Sequence, residues 1–481
     1  MTNLEFKSFN IDEEILKAID LLGYKKPSEV QEQVIPLALE DRDIIVKSQT
    51  GSGKTAAFAI PLCTKIDIEE RDSQVLVLTP TRELAIQVKE DITNIGRFKK
   101  VRAAAIFGKQ PFESQVRELK QRVHMVVGTP GRTMDHIDRG TLSLDKIKYL
   151  ILDEADEMLN MGFIDQVEAI INKLPKDRIT MLFSATMPEQ IEELARKYMI
   201  NPTNIEIESK TLNREKIKQV YYEIEEDKKF NLLNKVIYTE RPDSCILFCR
   251  TKDNVGTLAQ KMKNRGYSVS ALHGGMLQKE RIDTIRSFKR GEFSFLVATD
   301  VAARGIDVED ITHVINYDIP LENESYVHRI GRTGRAGSEG MAITFVTPYE
   351  HRFLSDIEEY VGYKIERAEM PSNEDVEQGR KIFEEKSKVK PKLKTDKSAK
   401  LNKEIMKIYI GAGKKKKIRP GDIVGTITSI EGITADHIGI IDVQDNVSYV
   451  DILDGKGKQV LEALQHKTIK GKIVKVQRAA K

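Results

Sequence analysis

Short apolar, β-rich runs recur through the first 200 residues: DIIV (Asp43–Val46), VLVLT (Val75–Thr79), HMVVGT (His124–Thr129), YLILDE (Tyr149–Glu154) and TMLFSAT (Thr180–Thr186). Longer segments of helical character separate them. Continuous apolar runs of this length, alternating with helices, predict parallel strands joined by helical crossovers in a doubly wound α/β sheet. After a polar stretch near Glu206–Glu226 the pattern repeats in SCILFCRT (Ser244–Thr251), VSALHGG (Val269–Gly275), FLVATD (Phe295–Asp300), HVINYD (His313–Asp318) and MAITFVT (Met341–Thr347). The pattern then lapses. KIFEEKSKVKPKLKTDKSAK (Lys381–Lys400) is rich in Lys and Glu and reads as a solvated linker, partly helical at most. From about Leu401 strand-like runs return (IMKIYI, HIGIIDVQD, VSYVDIL, KIVKVQ), enough for one small α+β domain. The expected organisation is a first α/β lobe over 1–206, a second over 207–370, a charged linker over 371–400 and a small domain over 401–481.

Composition fits this reading. The 481 residues are 40% hydrophobic and 31% charged, and no apolar run approaches the roughly 20 residues that span a bilayer. MTNLEFKSFN lacks the basic and apolar halves of a signal peptide, so a cytoplasmic protein with no membrane contact is expected. The three cysteines, Cys63, Cys245 and Cys249, are too few for a disulfide framework, and the latter two flank a strand, which points to buried small residues. The net charge of +3 conceals an asymmetry. Residues 371–481 hold 24 Lys and Arg against 15 Asp and Glu, while the rest holds 53 against 59. An acidic body with a basic tail suggests a polyanionic partner.

The chemistry begins between the first two runs. SQTGSGKT (Ser48–Thr55) follows a strand and opens a helix, the setting of a phosphate-binding loop. Ser48 stands where the pattern G-x-x-x-x-G-K-[ST] has glycine. Ser48, Thr50, Gly51, Ser52 and Gly53 are expected to cradle phosphates, with Lys54 at the β- and γ-phosphates and the Thr55 hydroxyl on Mg²⁺. A magnesium site needs an acid at a strand end, and YLILDEAD supplies it. Asp153 is expected to hold the metal, and Glu154 to orient and deprotonate the attacking water.

DEAD at Asp153–Asp156 is followed and preceded by further motifs in order: PTRELA (Pro80–Ala85), TPGR (Thr129–Arg132), SAT (Ser184–Thr186), ILFCRT (Ile246–Thr251), QKER (Gln278–Arg281), VATDVAARGID (Val297–Asp307) and HRIGRTGR (His328–Arg335). Over about residues 1–370 the chain resembles the DEAD-box RNA helicases. The resemblance implies two tandem RecA-like lobes and an RNA-stimulated ATPase that uses ATP and Mg²⁺, and it accommodates a serine at Ser48. GYKKPSEVQ (Gly23–Gln31) is similar to the family's Q motif, which implies adenine recognition by Gln31 and stacking by Tyr24, supported by Phe9. It further implies that Arg332 and Arg335 reach the γ-phosphate when the lobes close and that Asp307 contacts the ribose. Ser184, Thr186 and His328 are implied to couple hydrolysis to lobe position. Implied RNA contacts are Thr81, Arg82, Gly108, Thr129 and Arg132 in the first lobe, and Gln278, Arg281 and Thr299 in the second. The family often has Gly-Gly where this chain has Gly108-Lys109.

KIYIGAG (Lys407–Gly413) and NVSYVDI (Asn446–Ile452) look like the two central strands of an RRM-like sheet, which would present Tyr409 and Tyr449 to bases. The second strand departs from the usual RRM motif, so Lys414, Lys415, Lys416, Lys417 and Arg419 in the adjoining loop are the other RNA-binding candidates. Together with GAGKKKKIRPGDIVG and LDGKGKQVL, the chain resembles the bacterial DbpA-type branch along nearly its whole length. That implies a monomer whose tail is specific for 23S ribosomal RNA, or for particles on the way to the large subunit. The alternatives are a less specific cold-shock or mRNA-decay helicase, and a clamp that uses ATP only to hold RNA.

Overall fold

A computed structural model describes residues 4–49, 51–207, 216–303, 308, 311–334, 339–388, 393–394 and 397–479. The chain forms two compact units, residues 1–207 with 396–481, and residues 208–395. The first unit contains a seven-stranded parallel sheet made of β1 (Ile44–Lys47), β2 (Val75–Leu78), β3 (Ala103–Ile106), β4 (Met125–Gly128), β5 (Tyr149–Asp153), β6 (Ile179–Ser184) and β7 (Thr203–Glu206). Its order is β3-β4-β2-β5-β6-β1-β7. Strands β2, β4 and β5 are buried throughout, because helices cover both faces of a parallel sheet. The side-chain period of two sends Val75, Val77 and Ile151 into one core and Leu76, Leu78, Leu150 and Leu152 into the other. A representative covering helix, Arg82–Ile95, buries Leu84, Ala85, Val88, Ile92 and Ile95 at helical spacing. It starts where the Thr81 hydroxyl accepts the Leu84 N–H.

The second unit repeats the arrangement in β8 (Ile217–Glu223), β9 (Cys245–Phe248), β10 (Val269–Leu272), β11 (Phe295–Ala298), β12 (His313–Asn316), β13 (Gly340–Val346) and β14 (Glu366–Arg367). Their order is β10-β11-β9-β12-β13-β8-β14. Counted from its own first strand, each sheet is wound identically. Cys245 and Cys249 are buried at β9 and burial pushes both thiols far above their ordinary range, as structural cysteines require.

The structure differs from the expected solvated linker. Asn373–Lys388 is a 16-residue helix lying on the helix Lys229–Glu240. Its Phe383 ring sits 5.7 Å from Tyr238 and 5.6 Å from Tyr267. The two helices approach so closely that a Cβ on Gly379 would lie 2.2 Å from the Tyr238 carbonyl oxygen. One aromatic and one glycine among many charges thus dock a segment whose bulk composition reads as solvated.

The C-terminal domain is an antiparallel sheet of β15 (Met406–Ile410), β16 (Ile438–Val443), β17 (Ser448–Ile452) and β18 (Val476–Arg478), in the order β16-β17-β15-β18. The helices Pro420–Thr428 and Gly457–Gln465 cover one face, around Ile408, Ile410, Ile423, Ile427, Val450, Ile452 and Val460. Two helices on one face of a four-stranded sheet is the RRM-like arrangement expected. This domain belongs to the same compact unit as the first lobe.

Candidate active site and RNA interface

In a parallel sheet the loops at the carboxyl ends of the strands share one edge, where ligands bind in doubly wound folds. In the first lobe Ser48 follows β1, Thr81 follows β2, Gly108 follows β3, Thr129 follows β4 and Asp153 ends β5. The strand order therefore gathers Thr81, Gly108 and Thr129 on one half of the edge, and Ser48, Asp153 and Ser184 on the other.

On that second half the Ser48 N–H donates to the Ser184 carbonyl at 2.9 Å, carrying the β1–β6 pairing one step into the loop. Gly51 and Gly53 have φ of 83° and 94°, a conformation costly for any residue with a Cβ. A Cβ on Gly53 would also lie 2.6 Å from Gln31 Nε2. The bare backbone instead lets Gln31 Nε2 donate to the Gly53 carbonyl at 3.1 Å and the Ser28 hydroxyl donate to the Ser52 carbonyl at 2.8 Å. Ser48 Oγ lies 3.2 Å from Ser52 Oγ, so the serine in the glycine position gains a partner rather than a clash. Lys54 opens the helix Lys54–Lys65 and is buried, its Nζ donating to the Ser48 carbonyl at 3.1 Å. A helix N-terminus and a buried ammonium facing one loop form an anion site. Thr50 lies outside the described residues.

Gln31 also accepts the Ser28 N–H at 3.0 Å. Each end of its amide thus makes one protein hydrogen bond, and an amide still has a second N–H and a second lone pair for a base edge. Tyr24 is half-buried, and the ring set edge-on against it is Phe6, 6.2 Å away.

Asp153 is 3% exposed, and its Oδ1 has no hydrogen-bond donor. Burial raises its carboxyl above the ordinary range, while Lys54 and the Glu154 N–H pull it down. Among the described residues no three His, Cys, Asp or Glu side chains cluster as a metal cage. Mg²⁺ in phosphate sites needs only one or two protein oxygens, with phosphates and waters completing its shell. The orphaned Asp153 oxygen and the half-buried Thr55 fit that demand. Glu154 adopts φ 54°, ψ 55°, a left-handed backbone costing on the order of 1–3 kcal/mol in a non-glycine residue.

The sequence reading gave Asp156 no task, yet it is the hub of this half. Its Oδ2 accepts the Ala185 N–H at 3.1 Å, the Thr186 N–H at 2.9 Å and the Thr186 hydroxyl at 3.1 Å. Its own N–H donates to Ser184 Oγ at 3.2 Å. The last letter of DEAD is thereby tied to SAT, and through Ser184 to Ser48. Its place in the motif was the available signal.

On the other half, Arg132 Nη1 donates to the Gln110 carbonyl at 3.2 Å and to Gln115 Oε1 at 3.1 Å, and Arg132 Nε lies 3.5 Å from Asp135. Gln115 was also missed. It is 1% exposed, donates to the Phe107 carbonyl at 2.9 Å and lies 3.1 Å from His136 Nε2. It therefore holds Arg132 and the strand end before Gly108 together. A lone polar residue on an amphipathic helix gave no sequence signal. Arg82 lies beside Gly108, where an added Cβ would sit 3.6 Å from Arg82 Nη2. Lys109 has φ 59°, so the position where the family often has a second glycine does require a left-handed backbone.

In the second lobe Thr299 follows β11, and Gln278 and Arg281 lie in the first turn of the helix Gln278–Lys289. His328 sits on the helix Asn323–Ile330, and Arg332 follows it, buried, with Nε donating to the His328 carbonyl at 3.2 Å. Arg329, the first arginine of the same motif, is structural. It donates to Asp300 Oδ2 at 2.7 Å and to the Asp318 carbonyl at 2.7 Å. Asp307 and Arg335 lie outside the described residues. At the counterpart of the phosphate loop, Lys229 opens a helix after β8 as Lys54 does after β1. Its ammonium is already taken, by Glu226 at 2.7 Å and Asp318 at 3.2 Å.

The family profile described as "DEAD/DEAH box helicase" matches residues 28–194, "Helicase conserved C-terminal domain" matches 228–337, and "DbpA RNA binding domain" matches 407–478. The "ATP-dependent RNA helicase DbpA" of Bacillus subtilis is 58% identical over 476 residues, 99% of either chain. The chain belongs to the DEAD-box ATP-dependent RNA helicases. It is an RNA-stimulated ATPase with a C-terminal RNA-binding domain. The "DEAD-box ATP-dependent RNA helicase CshA" of Geobacillus kaustophilus is 46% identical over 78% of this chain and 80% of its own. Among solved structures, Saccharomyces cerevisiae Dbp5 bound to RNA and ADP BeF3 superposes with a TM-score of 0.70, at 35% identity over 79% of this chain and 99% of its own. Mss116p bound to ssRNA and AMP-PNP gives 0.69 at 28% identity, over 79% and 83%.

The RNA-binding domain of this DEAD-box helicase brings Tyr409 and Tyr449 together as cross-strand partners, their ring centroids 5.7 Å apart in an edge-on arrangement. Lys414–Lys416 form an exposed turn, pinned through the Lys414 and Lys415 N–H groups to the Gln444 and Asp445 carbonyls. Three lysines that the sequence reading did not single out join this loop region. Lys472 Nζ donates to the Lys416 carbonyl at 2.6 Å, Lys470 Nζ to the Lys417 carbonyl at 2.8 Å, and Lys467 Nζ to Ser429 Oγ at 3.1 Å. Lys467 and Lys470 border a depression of about 470 Å³ shared with Asp422, Thr426 and Ser429. Arg419 caps the helix Pro420–Thr428, its N–H donating to Asp422 Oδ2 at 2.8 Å.

Proposed function

We propose that this helicase remodels 23S ribosomal RNA during assembly of the large ribosomal subunit, acting as a cytoplasmic monomer that requires Mg²⁺ with its ATP. The observation that carries the reading is the C-terminal domain. It matches the DbpA RNA-binding profile over 407–478 and presents lysines from two separate loops on one surface.

ATP lies along the carboxyl edge of the first sheet. Gln31 and Tyr24 take the adenine, Gly51–Lys54 take the phosphates, and Asp307 takes the ribose hydroxyls. Thr55 and Asp153 would hold Mg²⁺, which supplies positive charge to the β- and γ-phosphate oxygens. Glu154 orients water in line with the γ-phosphorus and accepts its proton as the new P–O bond forms and the bond to the ADP oxygen breaks. Arg332 and Arg335 neutralise charge on the transferring group when the lobes close. In related enzymes such arginines are worth about 10³–10⁵ in rate. Asp156, by gripping Ala185 and Thr186, links the site to the SAT segment, and Ser184, Thr186 and His328 couple hydrolysis to lobe position. Thr81, Arg82, Gly108, Thr129, Arg132, Gln278, Arg281 and Thr299 hold the RNA backbone, which positions a strand without reading its sequence. Selectivity is therefore assigned to Tyr409, Tyr449, Lys414–Lys417 and Arg419.

The deciding measurement is ATPase stimulation by a 23S fragment against random RNA of equal length. Stimulation at lower concentration by the ribosomal fragment is expected. Equal stimulation by both would overturn the assignment to ribosomal RNA.

A further inference from the structure

The sheet of the C-terminal domain has one face covered by its own helices and one open face. Strand alternation and register put Lys407, Tyr409, Asp442, Tyr449 and Asp451 on the open one, since Tyr409 pairs with Tyr449, Lys407 with Asp451 and Asp442 with Tyr449. A carboxylate on an open face should be solvated. Asp451 is 2% exposed.

What buries it comes from the first lobe. Arg97 Nη2 lies 3.3 Å from Asp451 Oδ2, with both side chains largely removed from water. Gln121 Nε2 donates to Asp442 Oδ1 at 2.7 Å. Arg102 donates through one nitrogen to Gln121 Oε1 at 3.0 Å and through another to the Ile441 carbonyl, so a single guanidinium ties the lobe to the β16 edge. Lys17 pairs with Asp454 and also lies over the Phe98 ring. Beside these polar contacts is a small apolar core built from both parts: Ala18 and Phe98 of the lobe, and Leu401, Ile405 and Leu453 of the tail. Leu401 and Ala18 have no exposed surface at all. One buried ion pair and a dry apolar cluster together describe a seated interface, because an unpaired buried Asp451 or Arg97 would be strongly unfavourable.

We propose that the acidic end of this open face is a docking surface for the first lobe of the same chain. The C-terminal domain is then an arm carried by that lobe. The partner is the basic segment Arg97–Arg102 with the helix Glu13–Leu21, and the complementarity is Asp442, Asp451 and Asp454 against Arg102, Arg97 and Lys17. The arrangement also sorts the tail's chemistry. Acidic residues of the sheet face the lobe, while Lys414–Lys417 remain exposed. The latter half rests on the proposed RNA role of those lysines; the docking itself does not.

The test uses the full-length protein with a zero-length carbodiimide, which joins an amine to a carboxylate only in direct contact. A Lys17–Asp454 cross-link is expected in the wild type, detected by mass spectrometry. It should fall to background in Arg97→Glu, with a larger radius of gyration in X-ray scattering, and return in Arg97→Glu combined with Asp451→Arg. A wild type that yields no Lys17–Asp454 product, or a cross-link that persists undiminished in Arg97→Glu, would overturn the docking. Because all readouts are made without RNA, failure of ribosomal-RNA preference would strike the proposed function and leave this result standing.

Discussion

Glu154 and Asp153 are neighbours with opposite surroundings: a strained left-handed backbone at Glu154, and at Asp153 a buried oxygen without a donor. Glu154→Gln keeps the shape and removes the proton acceptor. ATP and RNA binding should persist while steady-state turnover falls at least about 100-fold; near-normal turnover would take the base role from Glu154. Gln115 offers a subtler case, because it holds Arg132 without facing the edge itself. Loss of its hydrogen bonds, on the order of 1–3 kcal/mol for a buried polar group, should appear in Gln115→Ala as a roughly tenfold higher RNA concentration for half-maximal ATPase. The maximal rate should change little, and an unchanged RNA dependence would show that Arg132 is held without it. At this scale the motif-bearing residues could be named from the sequence, since phosphate chemistry demands particular types at particular spacings, and those of the first lobe lie along one sheet edge. Gln115 and the bracing of the phosphate loop by Gln31 could not, because each acts through hydrogen bonds to partners that only the fold brings near.

At the scale of elements, continuous apolar runs gave away the buried parallel strands, and the two lobes followed from their alternation with helices. The helix Asn373–Lys388 escaped for a physical reason: its anchoring rests on Phe383 and Gly379, amid lysines and glutamates that dominate any average. Phe383→Ala should destabilise the second lobe by about 2 kcal/mol, less than a fully buried phenylalanine, since the ring is only half-buried. Thermal or denaturant unfolding checks this, and no change would restore the picture of a solvated linker. A second element is sensitive to pH. His124 Nδ1 accepts the Arg102 N–H at 2.9 Å, so the ring must be neutral there, and burial lowers its pKa to about 4. Between about 6.5 and about 4 the unfolded chain takes up a proton that the folded ring refuses, so stability is lost as pH falls through that window. Denaturant midpoints should decline from pH 7 to pH 4.5, less steeply in His124→Asn. A parallel decline in both would clear His124.

For the whole molecule, charge divides the labour. The +9 surplus beyond residue 370 includes an exposed lysine turn, and each phosphate neutralised adds about 0.7–0.9 to the dependence of log affinity on log salt. Changing Lys414–Lys417 to glutamine should flatten that slope by roughly three for ribosomal RNA, measured by titration at several salt concentrations. An unaltered slope would move the contact elsewhere. The two identically wound sheets bear on the molecule's history. Tandem copies of one winding are what duplication of an ancestral ATP-binding lobe would leave, and the second copy keeps the lysine at the head of the corresponding helix. There Glu226 and Asp318 supply, as permanent counter-ions, the negative charge that a phosphate would otherwise bring. Of the two helix-opening lysines, Lys54 alone has no carboxylate ion pair among the described residues, so only the first sheet keeps a lysine for a nucleotide phosphate.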